Sequence, residues 1–288
     1  MKASALARFH VIVFIWGFTA ILGKLITLQA IDLVWYRVLF TIISLWVYFR
    51  FIKFKLELPP KATLWILFIG LIVGFHWYCF YHSIKVSNVS ITLISLSTIT
   101  LFTALLEPLF FKRAVSFKEV FLALVVITGI SLIFRFESGY ATGIFYGILA
   151  AFAGSLFVVL NGKIANRFPA YSITFYEIGG ALILLTSMML IDGDIGLPPL
   201  PSASDLGLLV ILSIVCTAYP FVVSVHLMKE LSPFTVNMIT NLEPVYGIVL
   251  SLLIFGDDEY MSTGFYAGTL LILFAIFTYL FLKKRNKI

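Results

Sequence analysis

The chain has 288 residues, 61% of them hydrophobic and only 12% charged, whereas a soluble domain carries roughly a quarter charged residues. That composition excludes a water-facing surface for most of the molecule. A formal net charge of +6 would point to nucleic acid in a soluble protein, but here the basic residues sit in short breaks between apolar runs and near the C-terminus. They read as topology signals, and no nucleic-acid partner is expected.

A bilayer-spanning helix needs about 20 mostly apolar residues. Apolar runs between polar or Pro/Gly breaks predict helices over 9–28, 33–52, 63–84, 89–111, 117–135, 142–162, 171–191, 205–227, 233–255 and 262–282. The first run follows Lys2 and Arg8 as a signal peptide would. Its extension to about Leu28 and the lack of a clear small-residue cleavage site favour an uncleaved first helix. Ten spans with the N-terminus inside put Lys2, Arg8, Arg50, Lys53, Lys55, Lys61, Lys112, Arg113, Lys118, Lys163, Arg167, Lys229, Lys283, Lys284, Arg285 and Lys287 on the cytoplasmic side. Only Lys85 and Arg135 remain for the outer loops, with Lys24 and Arg37 inside helices. That asymmetry supports cytoplasmic N- and C-termini and an even helix number. The acidic residues Asp192, Asp194, Asp205, Asp257, Asp258 and Glu259 then face outward, and Asp257-Asp258-Glu259 reads as a solvated loop. Cys79 and Cys216 lie in apolar runs, where cysteine behaves as a small buried hydrophobe. They imply neither a disulfide framework nor a metal site.

The chain also echoes itself at about half its length. Gly23-Lys24-Leu25 is answered by Gly162-Lys163-Ile164, Tyr36-Arg37 by Tyr176-Glu177, and Ile84-Lys85 by Met228-Lys229. The common order of these matches supports a duplication into residues 1–137 and 138–288. Five spans is an odd number, so the halves lie in opposite orientations. The expected fold class is an all-α membrane protein of ten transmembrane helices in two inverted five-helix repeats, with substrate bound between them near the bilayer midplane.

Trp16-Gly17 in the first helix, Tyr36-Arg37 in the second, Leu242-Glu243-Pro244-Val245 in the ninth, and the glycines around Gly129 and Gly268 occur in an order that runs the length of the chain. In this the sequence resembles the EamA-type branch of the drug/metabolite transporter superfamily. The resemblance implies ten helices, a central cavity lined mainly by the first four helices of each half, and cargo such as amino acids, other small metabolites or drugs. Two departures stand out: Gly256-Asp257-Asp258-Glu259 where members often have Gly-Glu, and Ser97-Thr98 roughly where a proline often sits.

Ionised groups at bilayer depth cost a few kcal/mol, so they should face a cavity or a partner. Glu243 lies roughly 15 Å into its predicted helix at 1.5 Å per residue. Pro244 beside it frees a carbonyl one turn earlier, around Thr240. Asn237 and Asn241, spaced i,i+4, share a helix face. The set reads either as a polar substrate or proton site or as a buried helix–helix hydrogen-bond cluster. Arg37 is placed to clamp a carboxylate bidentately or to snorkel toward the interface. Lys24 reads as structural or as a gate, Glu177 and Pro244 as gating or coupling positions, and Glu107 as an ion-pair partner of Lys112. Within His76-Trp77-Tyr78-Cys79-Phe80-Tyr81-His82, His76 is the deepest cavity candidate, with Tyr78 a further one. Trp16, Asn161, Tyr176 and Tyr219 complete the candidate substrate-binding set, and Pro220 suggests a kink or hinge. Small-residue stripes Gly70-xxx-Gly74, Gly143-xxx-Gly147 and Gly264-xxx-Gly268 allow close helix approach, within a monomer or across a homodimer.

No catalytic constellation and no Gly-rich phosphate loop is present in the sequence, so neither an enzyme nor direct nucleotide drive is expected, and no cofactor. The expectation is a secondary transporter of small polar metabolites such as amino acids, by default an exporter, in the lipid of a bacterial inner membrane. Efflux of drugs or cations is the alternative, and a channel a further one.

Overall fold

The computed structural model describes residues 3–112, 114, 117–191 and 198–284. Lys2, Arg113, Asp192, Asp194, Arg285 and Lys287, which enter the charge count, lie outside them. Among the described residues the regular structure is entirely helical: α1 (Ala3–Leu25), α2 (Ala30–Phe51), α3 (Pro60–Val86), α4 (Val89–Leu96), α5 (Ile99–Phe111), α6 (Phe117–Phe136), α7 (Ala141–Ile164), α8 (Ala170–Ile191), α9 (Ala203–Ser213), α10 (Tyr219–Leu227), α11 (Pro233–Thr240), α12 (Leu242–Phe255) and α13 (Thr263–Lys284).

Eight stretches are long and apolar enough to cross a membrane, with α4–α5, α9–α10 and α11–α12 each acting as one stretch. Two shorter apolar stretches, Leu124–Phe136 and Thr263–Tyr279, lie in α6 and α13. Large apolar side chains such as Phe51, Leu109, Phe117, Ile191, Leu253 and Leu270 project from the bundle. Helices apolar on the outside as well as the inside belong in lipid, and the chain is a multi-pass integral membrane protein.

Three stretches are interrupted, each for a local reason. Between α4 and α5 the hydroxyls of Ser97 and Thr98 bond back to the carbonyls of Ile94 (2.5 Å) and Ser95 (2.7 Å), competing with the backbone ladder. Between α11 and α12 the break falls at Asn241, one turn before Pro244, whose missing amide releases the preceding turn. Pro220 is preceded by a π-turn, Ile214–Ala218, in which Thr217 Oγ1 donates to the carbonyl of Leu212 at 2.6 Å. The expected kink at Pro220 is therefore a widened turn on its N-terminal side.

The strongest packing joins elements of residues 1–137 to elements of 138–288. Helix α3 lies against α7 and α8, α1 against α12, α4 and α5 against α7, α2 against α8 and α9, and α6 against α13. At the α3–α8 crossing a Cβ on Gly70 would overlap the backbone of Glu177, and one on Gly180 the carbonyl of Leu67. Only glycine permits this approach. Gly143 and Gly147 face Ser87 and Ser95, and Gly264 and Gly268 face Phe136 and Gly129. All three glycine stripes pack within one chain.

Helix α1 runs the length of the bundle and marks its two ends. Near Phe9 lie the α7–α8 and α10–α11 connections, and the α2–α3 connection meets the start of α8 through Phe54 and Tyr171. Near Lys24 lie the α1–α2, α3–α4, α6–α7 and α12–α13 connections and the start of α9.

Candidate functional site

A cavity opens at mid-height. Its walls come from α1 (Trp16, Thr19), α2 (Arg37), α3 (His76, Trp77, Phe80), α7 (Phe157), the π-turn (Cys216, Thr217), α10 (Phe221, Ser224), α11 (Asn237, Thr240) and α12 (Glu243). The lining continues toward Met228 and Val236, at the Phe9 end. Neither α6, α8 nor α13 contributes to it.

Arg37 is the best anchored polar group. It is 3% exposed; its Nε donates to Thr217 Oγ1 (2.8 Å) and Nη1 to the Tyr81 hydroxyl (3.0 Å). Its guanidinium stacks on Trp77, 4.2 Å from the ring centroid. The π-turn presents Thr217 for this contact, and Thr41 Oγ1, bonded to the Ser213 carbonyl at 3.2 Å, holds the same segment to α2. Among the described residues Nη2 has no acceptor, so one edge of the fork remains for a ligand carboxylate.

Glu243 sits in the first turn of α12, just past the break, 6% exposed and on the cavity wall. Among the described residues no basic nitrogen lies within 4.0 Å of its carboxylate. Arg37 and Glu243 thus place a guanidinium and a carboxyl group in one cavity without closing on each other. His76 Nδ1 donates to the Ala150 carbonyl at 2.7 Å, because a carbonyl can only accept. In the neutral ring Nε2 is then an acceptor. Phe157 lies edge-on to His76, 5.4 Å between centroids.

The two asparagines divide their roles. Asn237 lines the cavity while its Nδ2 donates to Thr103 Oγ1 at 2.7 Å; Asn241 Nδ2 donates to Thr100 Oγ1. Both bonds tie the break in the ninth predicted span to α5. Of the sequence-predicted substrate-binding residues, Trp16, Arg37, His76, Asn237 and Glu243 converge on the cavity. Asn241, Asn161, Tyr78, Tyr176 and Tyr219 do not line it. Tyr78 stacks with His82 (5.4 Å), Tyr176 meets Phe175 edge-on (5.8 Å), and Tyr219 is 56% exposed. Asn161 is fully buried and donates to Glu177 Oε2 at 3.2 Å. Pro220 is buried beside the π-turn and Pro244 beside Glu243. Thr217, Tyr81 and Trp77 were missed as a unit. Trp77 and Tyr81 share an α3 face at i,i+4 spacing, which is the signal that was available.

Charged contacts tie the Lys24 end together. Lys24 Nζ lies 2.9 Å from Glu259 Oε1 and 4.0 Å from Asp258, with Phe255 beneath it at 4.3 Å. Glu259 also accepts from the amides of Val89 (3.1 Å) and Ser90 (2.8 Å), the first two of α4. Asn88 Oδ1 takes the next, from Ile91, at 2.8 Å. A carboxylate here meets both the unpaired amides and the positive end of the helix dipole. The reading of Asp257-Asp258-Glu259 as a solvated loop is thereby corrected: Asp258 is exposed, but Glu259 has zero exposure. Asp205, at the same end, is 2% exposed. It accepts from the Thr27 amide (2.9 Å) and hydroxyl (2.6 Å), while Lys85 Nζ donates to the Ile26 carbonyl. Two carboxylates from the C-terminal half thus hold the α1–α2 connection of the N-terminal half.

Comparison with known proteins agrees with this architecture. A curated relative from Archaeoglobus fulgidus, described as an uncharacterized transporter, is 30% identical over 108 residues. That match covers 37% of this chain and 39% of the relative's length. A solved crystal structure superposes with a TM-score of 0.68 over 96% of this chain and 97% of its own, at 15% identity. The profile of the EamA-like transporter family matches residues 5–135 and again 141–281. With nearly the whole chain matched, in two consecutive passes, the chain belongs to the EamA-like transporter family.

Proposed function

We propose that this chain is a secondary transporter, not an enzyme, that carries small zwitterionic metabolites such as amino acids by alternating access. The observation that carries the reading is the pairing of an anchored Arg37, with one η nitrogen unengaged, and an unpaired Glu243 in one aromatic-walled cavity. An α-carboxylate fits the first and an ammonium the second. Trp16, Trp77, Phe157 and Phe221 give apolar surface to the rest of the cargo. A purely cationic drug would meet the Arg37 charge, which favours the zwitterion over that alternative. Charged contacts across one end of the bundle favour alternating access over a channel.

In this reading α6 and α13 also cross the bilayer, making ten spans; their 20 and 22 residues rise about 30 Å at 1.5 Å each. The halves 1–137 and 138–288 are inverted repeats, supported by packing that exchanges in pairs, α3 on α8 with α2 on α9, and α4–α5 on α7 with α11–α12 on α1. The Phe9 end, which carries Arg50, Lys53, Lys55, Lys61, Lys163 and Arg167, faces the cytoplasm by the positive-inside rule. A bacterial inner membrane and export are the setting we assign.

Counterflow of labelled amino acids into proteoliposomes tests the reading. Glu243→Gln and Arg37→Ala should each reduce exchange at least tenfold, while Tyr219→Ala leaves it near wild type. Unchanged exchange in both cavity variants would remove the site, and ungated conductance would remove the transporter.

A further inference from the structure

Glu177 and Asn161 lie outside the cavity, on α8 and α7, both with zero exposure. Asn161 Nδ2 donates to Glu177 Oε2 at 3.2 Å. The other oxygen of each group, Glu177 Oε1 and Asn161 Oδ1, is buried with no hydrogen-bond partner. Both are acceptors, so the pair lacks one donor hydrogen.

The surroundings supply no counter-charge. Helix α8 packs on α2, α3 and α10, and α7 reaches it through Asn161. On α2, Arg37 is engaged by Thr217 and Tyr81, Arg50 lies by Trp46, and Asp32 is acidic. On α3, His76 is bonded to Ala150 and Lys61 is exposed at the helix start. On α7, Lys163 lies over Phe110 and Phe111, and on α10 His226 is exposed. Among the described residues no basic nitrogen comes within 4.0 Å of the Glu177 carboxylate. An unpaired buried carboxylate costs several kcal/mol, and two oxygens make a poor shell for a metal cation, which prefers six or so. A single proton satisfies every atom of the pair.

We infer that Glu177 and Asn161 form a proton-binding site separate from the cavity, with the proton on Glu177 Oε1 donated to Asn161 Oδ1. The proton also fixes a conformation. The backbone of Glu177 itself forms the crossing with Gly70 of α3, and α3 carries His76, Trp77 and Phe80 into the cavity wall. Ionising Glu177 requires water at a carboxyl group with no exposure, so the helices packed around it must loosen. The arrangement described here is the protonated one, and higher pH favours a more open one. The inference stands whether or not the cavity binds a zwitterion.

Infrared difference spectra of the full-length protein in phosphatidylcholine nanodiscs, in sodium-free choline buffer, test it directly. The wild type should show a protonated-carboxyl stretch at neutral pH that is missing in Glu177→Gln and fades on alkaline titration. Asn161→Ala, which removes the amide partner, should move that band to higher frequency. Thermal unfolding should lose several degrees toward alkaline pH in the wild type, whereas Glu177→Gln, whose amide supplies the missing donor without titrating, should show a flatter profile. If Glu177→Gln does not fold, the band shift in Asn161→Ala identifies the group by itself. A wild-type spectrum with no such band at neutral pH overturns the inference. So does a band that disappears when choline is replaced by sodium at constant pH, because the site would then hold a metal cation.

Discussion

Helix α1 is clasped by the C-terminal half at both ends, and the two clasps use opposite physics. Near Lys24 they are ionic and directional: Lys24 to Glu259, Thr27 to Asp205. Near the other end Phe9, Ile12 and Val13, all essentially unexposed, pack on Val158, Ala165, Leu227, Leu231 and Val236. Trp16 meets Phe9 edge-on at 6.0 Å. Apolar packing is non-directional and falls away gradually as surfaces slide. Charged hydrogen bonds in a low-dielectric setting are lost within about an ångström of separation and leave costly unpaired groups. On the proposed alternating-access reading, the Lys24 end is expected to act as a two-position latch and the Phe9 end as a surface that repacks.

Substitutions can break this contrast, beginning with the largest effect. Phe9→Ala should lower stability by about 3–5 kcal/mol in thermal or denaturant unfolding of the purified protein, with no salt dependence. Lys24→Met leaves Glu259 buried with only two amides for partners and should cost about 3 kcal/mol. A double-mutant cycle with Glu259→Gln should then be strongly non-additive; additive losses would show that the two residues do not act as one latch. Asp205→Asn keeps one acceptor for Thr27 and loses the other, for about 1–2 kcal/mol. Maleimide labelling of a cysteine placed at Thr27 should speed up in that variant, and an unchanged rate would count against the second clasp. Asp258→Asn is the smallest change: its side chain is 78% exposed at 4.0 Å from Lys24, so the effect should stay within about 0.5 kcal/mol and vanish in high salt.

The contrast was only half legible in the chain. Apolar runs located the helices to within a few residues, apart from the start of α1 at Ala3 rather than residue 9, because lipid demands length and hydrophobicity, both local properties. The Pro244 break was readable for the same reason, since a missing amide acts one turn away. Glu259 was not, because its partners Val89 and Ser90 are 170 and 169 residues distant. Locally, three consecutive acids look like a solvated loop. The break at Ser97-Thr98 escaped as well: hydroxyls that bond back to their own turn leave the apolar pattern intact. Tyr219, next to a proline, looked like a cavity aromatic, but the π-turn before it inserts an extra residue per turn. It turns outward, and Thr217 turns in to meet Arg37. Glu243 and Arg37 were found because an ionisable group inside an apolar run carries its own signal.

The interruption between α4 and α5 has a consequence for bending. In an unbroken helix, flexing strips carbonyls of their partners and exposes them to hydrocarbon, where each costs several kcal/mol. At Ser97 and Thr98 the carbonyls of Ile94 and Ser95, which take the tighter i+3 backbone amides at 3.2 Å, are also held by side-chain hydroxyls of the same turn. At the matching interruption Thr240 Oγ1 bonds back to Val236 inside α11, at 3.0 Å, and the side-chain amides of Asn237 and Asn241 tie the break to α5. A span broken in this way is a joint whose polar groups travel with it. The eight-residue piece α4 can swing against α5 without exposing an unpaired carbonyl to lipid.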